Sequence, residues 1–386
     1  MGDRTDRLGA RSLWTLLLGN ALVTVGIGFF VPILPLYLAA RHGAPLLIGI
    51  VYAAAVIGMM VAQYPGGWLA DRWGSRPVLV GSVVAYASLF PIYLLPIPPE
   101  WIVGLRFVHA LAAGVYTPAA TAMVANLAGR NRGRAFGHLR ASQMVGFLLG
   151  PAIGGFVAGF RLDAVFPAGG LVCLAAAPLL LLLPRAGGRV ETGPDAPLRL
   201  WPLLLAMVPA IAIAVPVQWS IGAYDTIWSL YMTHHGASTF EVGLSFASFS
   251  LPMVLLSSLA GSLADRFGHL RVAAVSSALV GAFAAAYPFI SSVPALIGLG
   301  VVEGAFTVGS GPALLAAVSA LAPAGGQGRT QGVYQTVLNG IMAIAAIAAG
   351  GLYGRSPAAA FFSITALAVA GVGAGVAVAG ARRRLA

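Results

Sequence analysis

The alternation of apolar and polar residues divides the chain into long apolar stretches separated by short polar breaks. Twelve such segments run roughly over 12–38, 46–70, 77–96, 101–127, 134–160, 164–184, 202–233, 240–264, 271–291, 294–321, 330–353 and 357–380. Each reaches the ~20 residues that a helix needs to cross ~30 Å of hydrocarbon. The pattern predicts an all-α polytopic membrane protein with twelve transmembrane helices. Twelve crossings return both termini to the same side of the bilayer.

The polar breaks repeat. Between the second and third segments the chain reads Gly67-Trp68-Leu69-Ala70-Asp71-Arg72-Trp73-Gly74, and G-x-L-A-D-R-x-G returns at Gly261-Ser262-Leu263-Ala264-Asp265-Arg266-Phe267-Gly268, 194 residues later. Leu36-Tyr37 and Leu230-Tyr231 keep that offset, as do Gly104-Leu105 and Gly298-Leu299, and Pro118 and Pro312. Arg134 and Gly137 match Arg329 and Gly332 after a one-residue insertion. Two parallel copies of a six-helix unit follow, a repeat type found among transporters. They are expected at 1–184 and 201–386, with a Gly-, Pro- and charge-containing cytoplasmic linker at 185–200. The first segment is too long for the apolar run of a signal peptide, and its twin in the seventh segment marks it as a structural helix.

Composition agrees with the pattern. Apolar residues make up 59% and charged residues only 9%, against roughly 25% charged in a soluble domain. All 22 basic residues are Arg. Arg41, Arg161 and Arg355 fall in alternate loops and Arg106 within a segment, while the rest cluster at the termini and in every second loop. That bias places the Arg-rich side, with both termini, in the cytoplasm of a cell (inner) membrane. Short loops cannot supply a nucleic-acid surface. The single Cys173 excludes an internal disulfide, and no metal site or cofactor is expected. Neither a P-loop nor a nucleophile motif occurs, so the chain does not read as an enzyme. The expected partners are a small-molecule substrate and membrane lipid, with the protein a monomer.

Over its whole length the chain resembles the major facilitator superfamily, whose signature loop joins helices 2 and 3. In the first copy Gly67, Asp71, Arg72, Gly74 and Arg76 match it, with Ser75 at the first of two basic positions. In the second copy Gly261, Asp265, Arg266 and Gly268 match, and His269 and Leu270 replace basic residues. Gly67 and Gly74 suit close helix approach and a tight turn. The resemblance gives Asp71 and Asp265 a gate-latch role toward the starts of helix 11 (327–331) and helix 5 (132–137). In the fifth segment, Gly146, Gly150 and Gly154 form one small-residue stripe, and Pro151, Gly155 and Gly159 form another. This G-P-x-x-G-G run is similar to the family's antiporter signature, and Pro32-Ile33-Leu34-Pro35-Leu36-Tyr37 is similar to the twelve-helix drug:proton antiporter branch. The implied architecture is the major facilitator fold, two pseudo-symmetric six-helix bundles.

Among the ionisable residues inside the segments, those that matter for coupling are Arg106 and His109 in the fourth, Asp225 in the seventh and Glu303 in the tenth. Arg106 and His109 are three apart and share a helix face. Charge within the bilayer is costly and marks function, although Arg106 is shallow enough to snorkel outward. A carboxyl buried without a partner holds a proton more readily than one in water. Glu303, the twin of His109, is the first choice of proton carrier, and Asp225 is the second; pairing of either acid with Arg106 is the structural alternative. The polar and aromatic candidates for substrate binding are Asn20, Tyr116, Gln143, Gln218, Trp219, Tyr224, Trp228, Tyr334 and Asn339. They suit a hydrophobic or amphipathic solute. The reading is a secondary active transporter, exporting such a compound by alternating access in exchange for protons. Uptake or lipid flipping on the same scaffold is the alternative, and a non-transporting receptor or scaffold is the third.

Overall fold

The computed structural model describes residues 2–127, 132–185, 200–322 and 327–385. Among the described residues, twelve helical spans are long and apolar enough to cross a membrane. Spans 1 to 6 are Arg11–Ala40, Pro45–Trp73, Ser75–Leu94, Trp101–Leu127, Arg134–Phe160 and Leu162–Leu181. Spans 7 to 12 are Leu200–His234, Thr239–Phe267, His269–Phe289, Val293–Ser319, Arg329–Tyr353 and Pro357–Ala381. The protein is a multi-pass membrane protein. Most of the expected linker, 186–199, lies outside the described residues.

Local chemistry explains where the helices break. Span 1 is interrupted after Phe30 and resumes at Leu34. Pro35 sits in the first turn of the new helix, where a missing N–H leaves no intrahelical bond unmade. Spans 3 and 9 finish in 3-10 turns, Phe90–Leu94 and Tyr287–Phe289. Span 4 runs unbroken through Pro118, yet span 10 divides between Thr307 and Ser310 ahead of the matching Pro312. Gly309 lies in that break and Gly311 just after it, where span 4 carries Val115 and Thr117; added to the proline's lost donor, two glycines weaken the helix.

The chain forms two compact units. Unit 1 comprises Met1–Gly43, Ala54–Val190 and Ala237–Ala247, and unit 2 comprises Ala44–Ala53, Glu191–Gly236 and Ser248–Ala386. Unit 1 packs around Leu16, Leu79, Met123, Val124 and Leu180, all completely buried. Unit 2 packs around Met207, Ile213, Ala273, Ala313 and Val318. The small-residue stripes of span 5 both serve packing in unit 1. A Cβ at Gly150 would lie 2.7 Å from the Gly28 Cα of span 1, and one at Gly155 would lie 2.5 Å from the Thr239 carbonyl of span 8.

Candidate functional site

In each unit the ionisable residue of the central span sits in an aromatic nest built on the same register. In unit 2, Glu303 is 1% exposed. The Tyr287 hydroxyl donates to its Oε2 at 2.6 Å, and the Tyr224 hydroxyl donates to its Oε1 at 3.2 Å. Thr307 donates to the Glu303 carbonyl one turn on. Tyr231 donates to the main-chain oxygen of Tyr287 at 2.8 Å, fixing the 3-10 turn that carries this tyrosine. Trp228 stands edge-on to Tyr287 at 4.8 Å, and Phe361 closes the nest beside Tyr231 at 4.7 Å. Two directed donors hold the carboxyl in one orientation inside an otherwise apolar wall.

In unit 1 the same frame carries different chemistry. Tyr93, 194 residues before Tyr287, places its hydroxyl 3.1 Å from His109 Nδ1. Tyr37, the twin of Tyr231, donates to the main-chain oxygen of Tyr93. The Tyr37 and Phe166 rings meet at 4.7 Å and 69°, and the Tyr231 and Phe361 rings at 4.7 Å and 65°. His109 is wholly buried among Phe30, Tyr86 and Phe90. Arg106 is 8% exposed and turns inward, so the outward-snorkelling alternative does not describe it. Its guanidinium lies 4.7 Å over the Phe30 ring and interacts with the Tyr86 and Tyr93 hydroxyls. Cation–π contact and hydroxyl acceptors are the expected seat of a desolvated guanidinium.

The remaining candidates disperse. Asp225 is half-buried on span 7, next to Tyr224 in sequence. Tyr116 donates to Asn20 Oδ1, and Asn20 Nδ2 donates to Ser142 Oγ at 2.7 Å, a buried network joining spans 1, 4 and 5. Gln143 accepts from Arg140 at 3.2 Å. Trp219 donates to Ser363 at 3.0 Å, tying span 7 to span 12. Tyr334 is 2% exposed in the apolar core of unit 2, and Gln218 and Asn339 are half-buried. Of the nine substrate candidates, Tyr224 and Trp228 are the two that stand in the Glu303 nest.

The signature turns have the backbone that their glycines permit, with φ of 85° at Gly74 and 93° at Gly268. One reading of that loop is corrected. The close helix approach falls at Gly66, where a Cβ would lie 2.7 Å from Val115 Cα, and not at Gly67, which has room. Asp71 is exposed. Asp265 pairs with His269 at 3.2 Å, one turn along its own unit. Arg72 and Arg266 each cover an aromatic ring of their own span, Trp68 and Phe267. Of the helix 5 start named as a latch recipient, the side chains at 132 and 133 lie outside the described residues.

Sequence reasoning missed Tyr93 and Tyr287. The 194-residue offset that relates His109 to Glu303 also relates these two tyrosines, and Phe30 to Tyr224. Following it through the aromatic residues finds both nests.

Comparison with known proteins places these features in a family. The Major Facilitator Superfamily profile matches residues 16–227 and again 210–384. Multidrug resistance protein 2 of Bacillus subtilis (strain 168) is 24% identical over 280 residues, covering 68% of this chain and 69% of that protein. Quinolone resistance protein NorA of Staphylococcus aureus (strain N315) is 25% identical over 230 residues, 57% of this chain and 58% of NorA. Among solved structures, the nucleoside transporter NupG aligns with a TM-score of 0.79 at 14% identity, over 95% of this chain and 98% of that one. A bacterial homolog of the human lysosomal transporter Spinster aligns at 0.78 and 14%, over 95% and 96%. At such identities the structures speak for the fold alone.

Proposed function

The chain belongs to the major facilitator superfamily, and from that premise we propose that it is a proton-coupled exporter of hydrophobic or amphipathic small molecules. The observation that carries the coupling is Glu303: a carboxyl 1% exposed, in the interior of span 10, held by two tyrosine hydroxyls. Its two hydrogen-bond donors are already in place to receive the charge when the acid ionises. When Glu303 is ionised the two hydroxyls stabilise the anion. When it is protonated, the acid is a neutral group in an aromatic nest.

Export, and a solute of the drug type, are supported by the G-P-x-x-G-G run of span 5 and by relatives whose names are multidrug and quinolone resistance proteins. Arg106 supplies a fixed buried cation in unit 1, and Glu303 supplies the group that changes charge in unit 2. The membrane is proposed to be the cell (inner) membrane, with the Arg-rich ends of the spans in the cytoplasm.

The test is transport of a fluorescent lipophilic cation by purified protein in proteoliposomes with an imposed pH gradient. Wild type should move the dye against its gradient while protons run down theirs. Glu303→Gln should abolish the gradient-driven component and retain dye exchange at zero gradient. Equal gradient-driven flux in both proteins removes Glu303 from the mechanism. Dye flux by wild type that ignores the gradient removes proton coupling altogether.

A further inference from the structure

The two units differ at one helix pair in a way that opens a groove. In unit 1, spans 2 and 4 are zipped together at glycines. A Cβ at Gly58 would lie 2.6 Å from the Phe107 carbonyl, one at Gly66 would lie 2.7 Å from Val115 Cα, and one at Gly114 would lie 2.6 Å from the Met59 carbonyl. Advancing 194 residues puts Pro252, Ala260 and Val308 at those three positions of spans 8 and 10. Side chains now stand where backbones met. Spans 8 and 10 still touch at Gly304 and Phe249, but toward the Arg-rich end they part. Ala260 and Val308 line the gap that results, together with span 9.

This gap is an open groove of about 440 Å³, within the range of small-ligand sites. Its walls are apolar: Leu259, Leu263, Phe267, Val275 and Phe306 line it and are all exposed. Its one charged lining residue is Arg271, in the first turn of span 9. From Arg271 to Leu279 at the far end is eight residues, about 12 Å along a helix. Arg266 adds a second cation at the same rim, its guanidinium 5.3 Å over the Phe267 ring. The neighbouring acid, Asp265, is already engaged by His269. The rim is therefore basic and the floor is hydrocarbon-like.

We propose that this groove seats an anionic membrane phospholipid, one acyl chain lying along spans 8, 9 and 10 with the phosphate on Arg271. Apolar surface on membrane-length spans is covered by lipid tails, and basic rims between transmembrane helices at the cytoplasmic side select anionic headgroups. The corresponding face of unit 1 lacks the groove: its glycines close the helix pair, and Pro77 stands where Arg271 does, the basic residue of that first turn being Arg76.

Native mass spectrometry of the purified protein, titrated with phosphatidylglycerol or phosphatidylcholine of identical chains, tests this. Wild type should retain one phosphatidylglycerol in preference to phosphatidylcholine. Arg271→Gln should weaken phosphatidylglycerol alone, by about fivefold for one lost cation, whereas Arg72→Gln at the equivalent end of unit 1 should not. Ala305→Trp, which fills the floor, should reduce retention of both lipids; should that variant fail to fold, Val275→Trp repeats the test from an exposed wall position. Equal retention of the two lipids by wild type, or no change on Arg271→Gln, overturns the proposal. Neither outcome bears on proton coupling, which is read by flux.

Discussion

The nests around His109 and Glu303 share a frame and differ in its filling. Tyr37 and Tyr231 each anchor a 3-10 turn, and Tyr93 and Tyr287 each reach from that turn to the ionisable residue of the next span. Three substitutions in register then separate the two. Arg106 becomes Gly300, His109 becomes Glu303 and Phe30 becomes Tyr224. In unit 1 the tyrosine hydroxyl answers a guanidinium, and the ring beneath that cation is a plain phenyl. In unit 2 the cation is gone, so the hydroxyl is free to donate to the acid, and the phenyl has gained an OH that supplies the second donor. The lesson is that a duplicated scaffold acquires opposite electrical characters through a few coordinated changes, while the bonds that hold its shape are kept.

The largest test of that asymmetry is the paired replacement Glu303→Gln and His109→Gln. The first should lower pH-gradient-driven flux by at least about 100-fold, the scale of a lost proton-transfer group. The second removes a neutral hydrogen bond worth about 0.5–1.5 kcal/mol and should cost less than tenfold. Comparable losses at both sites erase the proposed division of labour.

Next in size are the two tyrosines. Tyr287→Phe takes a 2.6 Å donor from Glu303, a bond to a charged group worth about 1.5–3 kcal/mol, so flux should fall roughly tenfold or more. Tyr93→Phe should reduce flux only a few-fold, because Arg106 keeps its seat over Phe30 and its contact with Tyr86. A ranking in the opposite order would place the decisive nest in unit 1. Smallest are the frame residues: Tyr37→Phe and Tyr231→Phe each delete one bond to a main-chain oxygen, and each should lower thermal stability by about 1 kcal/mol. Unfolding midpoints that differ strongly between these two variants would show that the shared frame is not energetically shared.

The twelve spans and the duplication were legible because both are carried by contrast, long apolar runs against short charged turns. The family is shown by the profile match over both halves. The pairing of His109 with Glu303 was legible from register. Which side chains accompany them was not, for a physical reason: these spans are apolar on every side, so no polar stripe tells the inward face from the lipid-facing one. Tyr334 illustrates the difficulty, a polar-tipped residue that lies in the core of unit 2 beside Met207 and Leu338. Gly66 illustrates it again, since nothing in the sequence separates the glycine that meets Val115 from its neighbour Gly67.

The interruption of span 10 between Thr307 and Ser310 lies one turn beyond Glu303. A continuous rod would transmit any tilt of its inner third directly to the carboxyl and pull it off its tyrosines. A rod interrupted there divides into residues 293–307, which carry the carboxyl, and residues 310–319, which do not. On the proposed coupling, such a joint would serve as mechanical insulation, leaving the carboxyl on its tyrosines while the far end of the span moves.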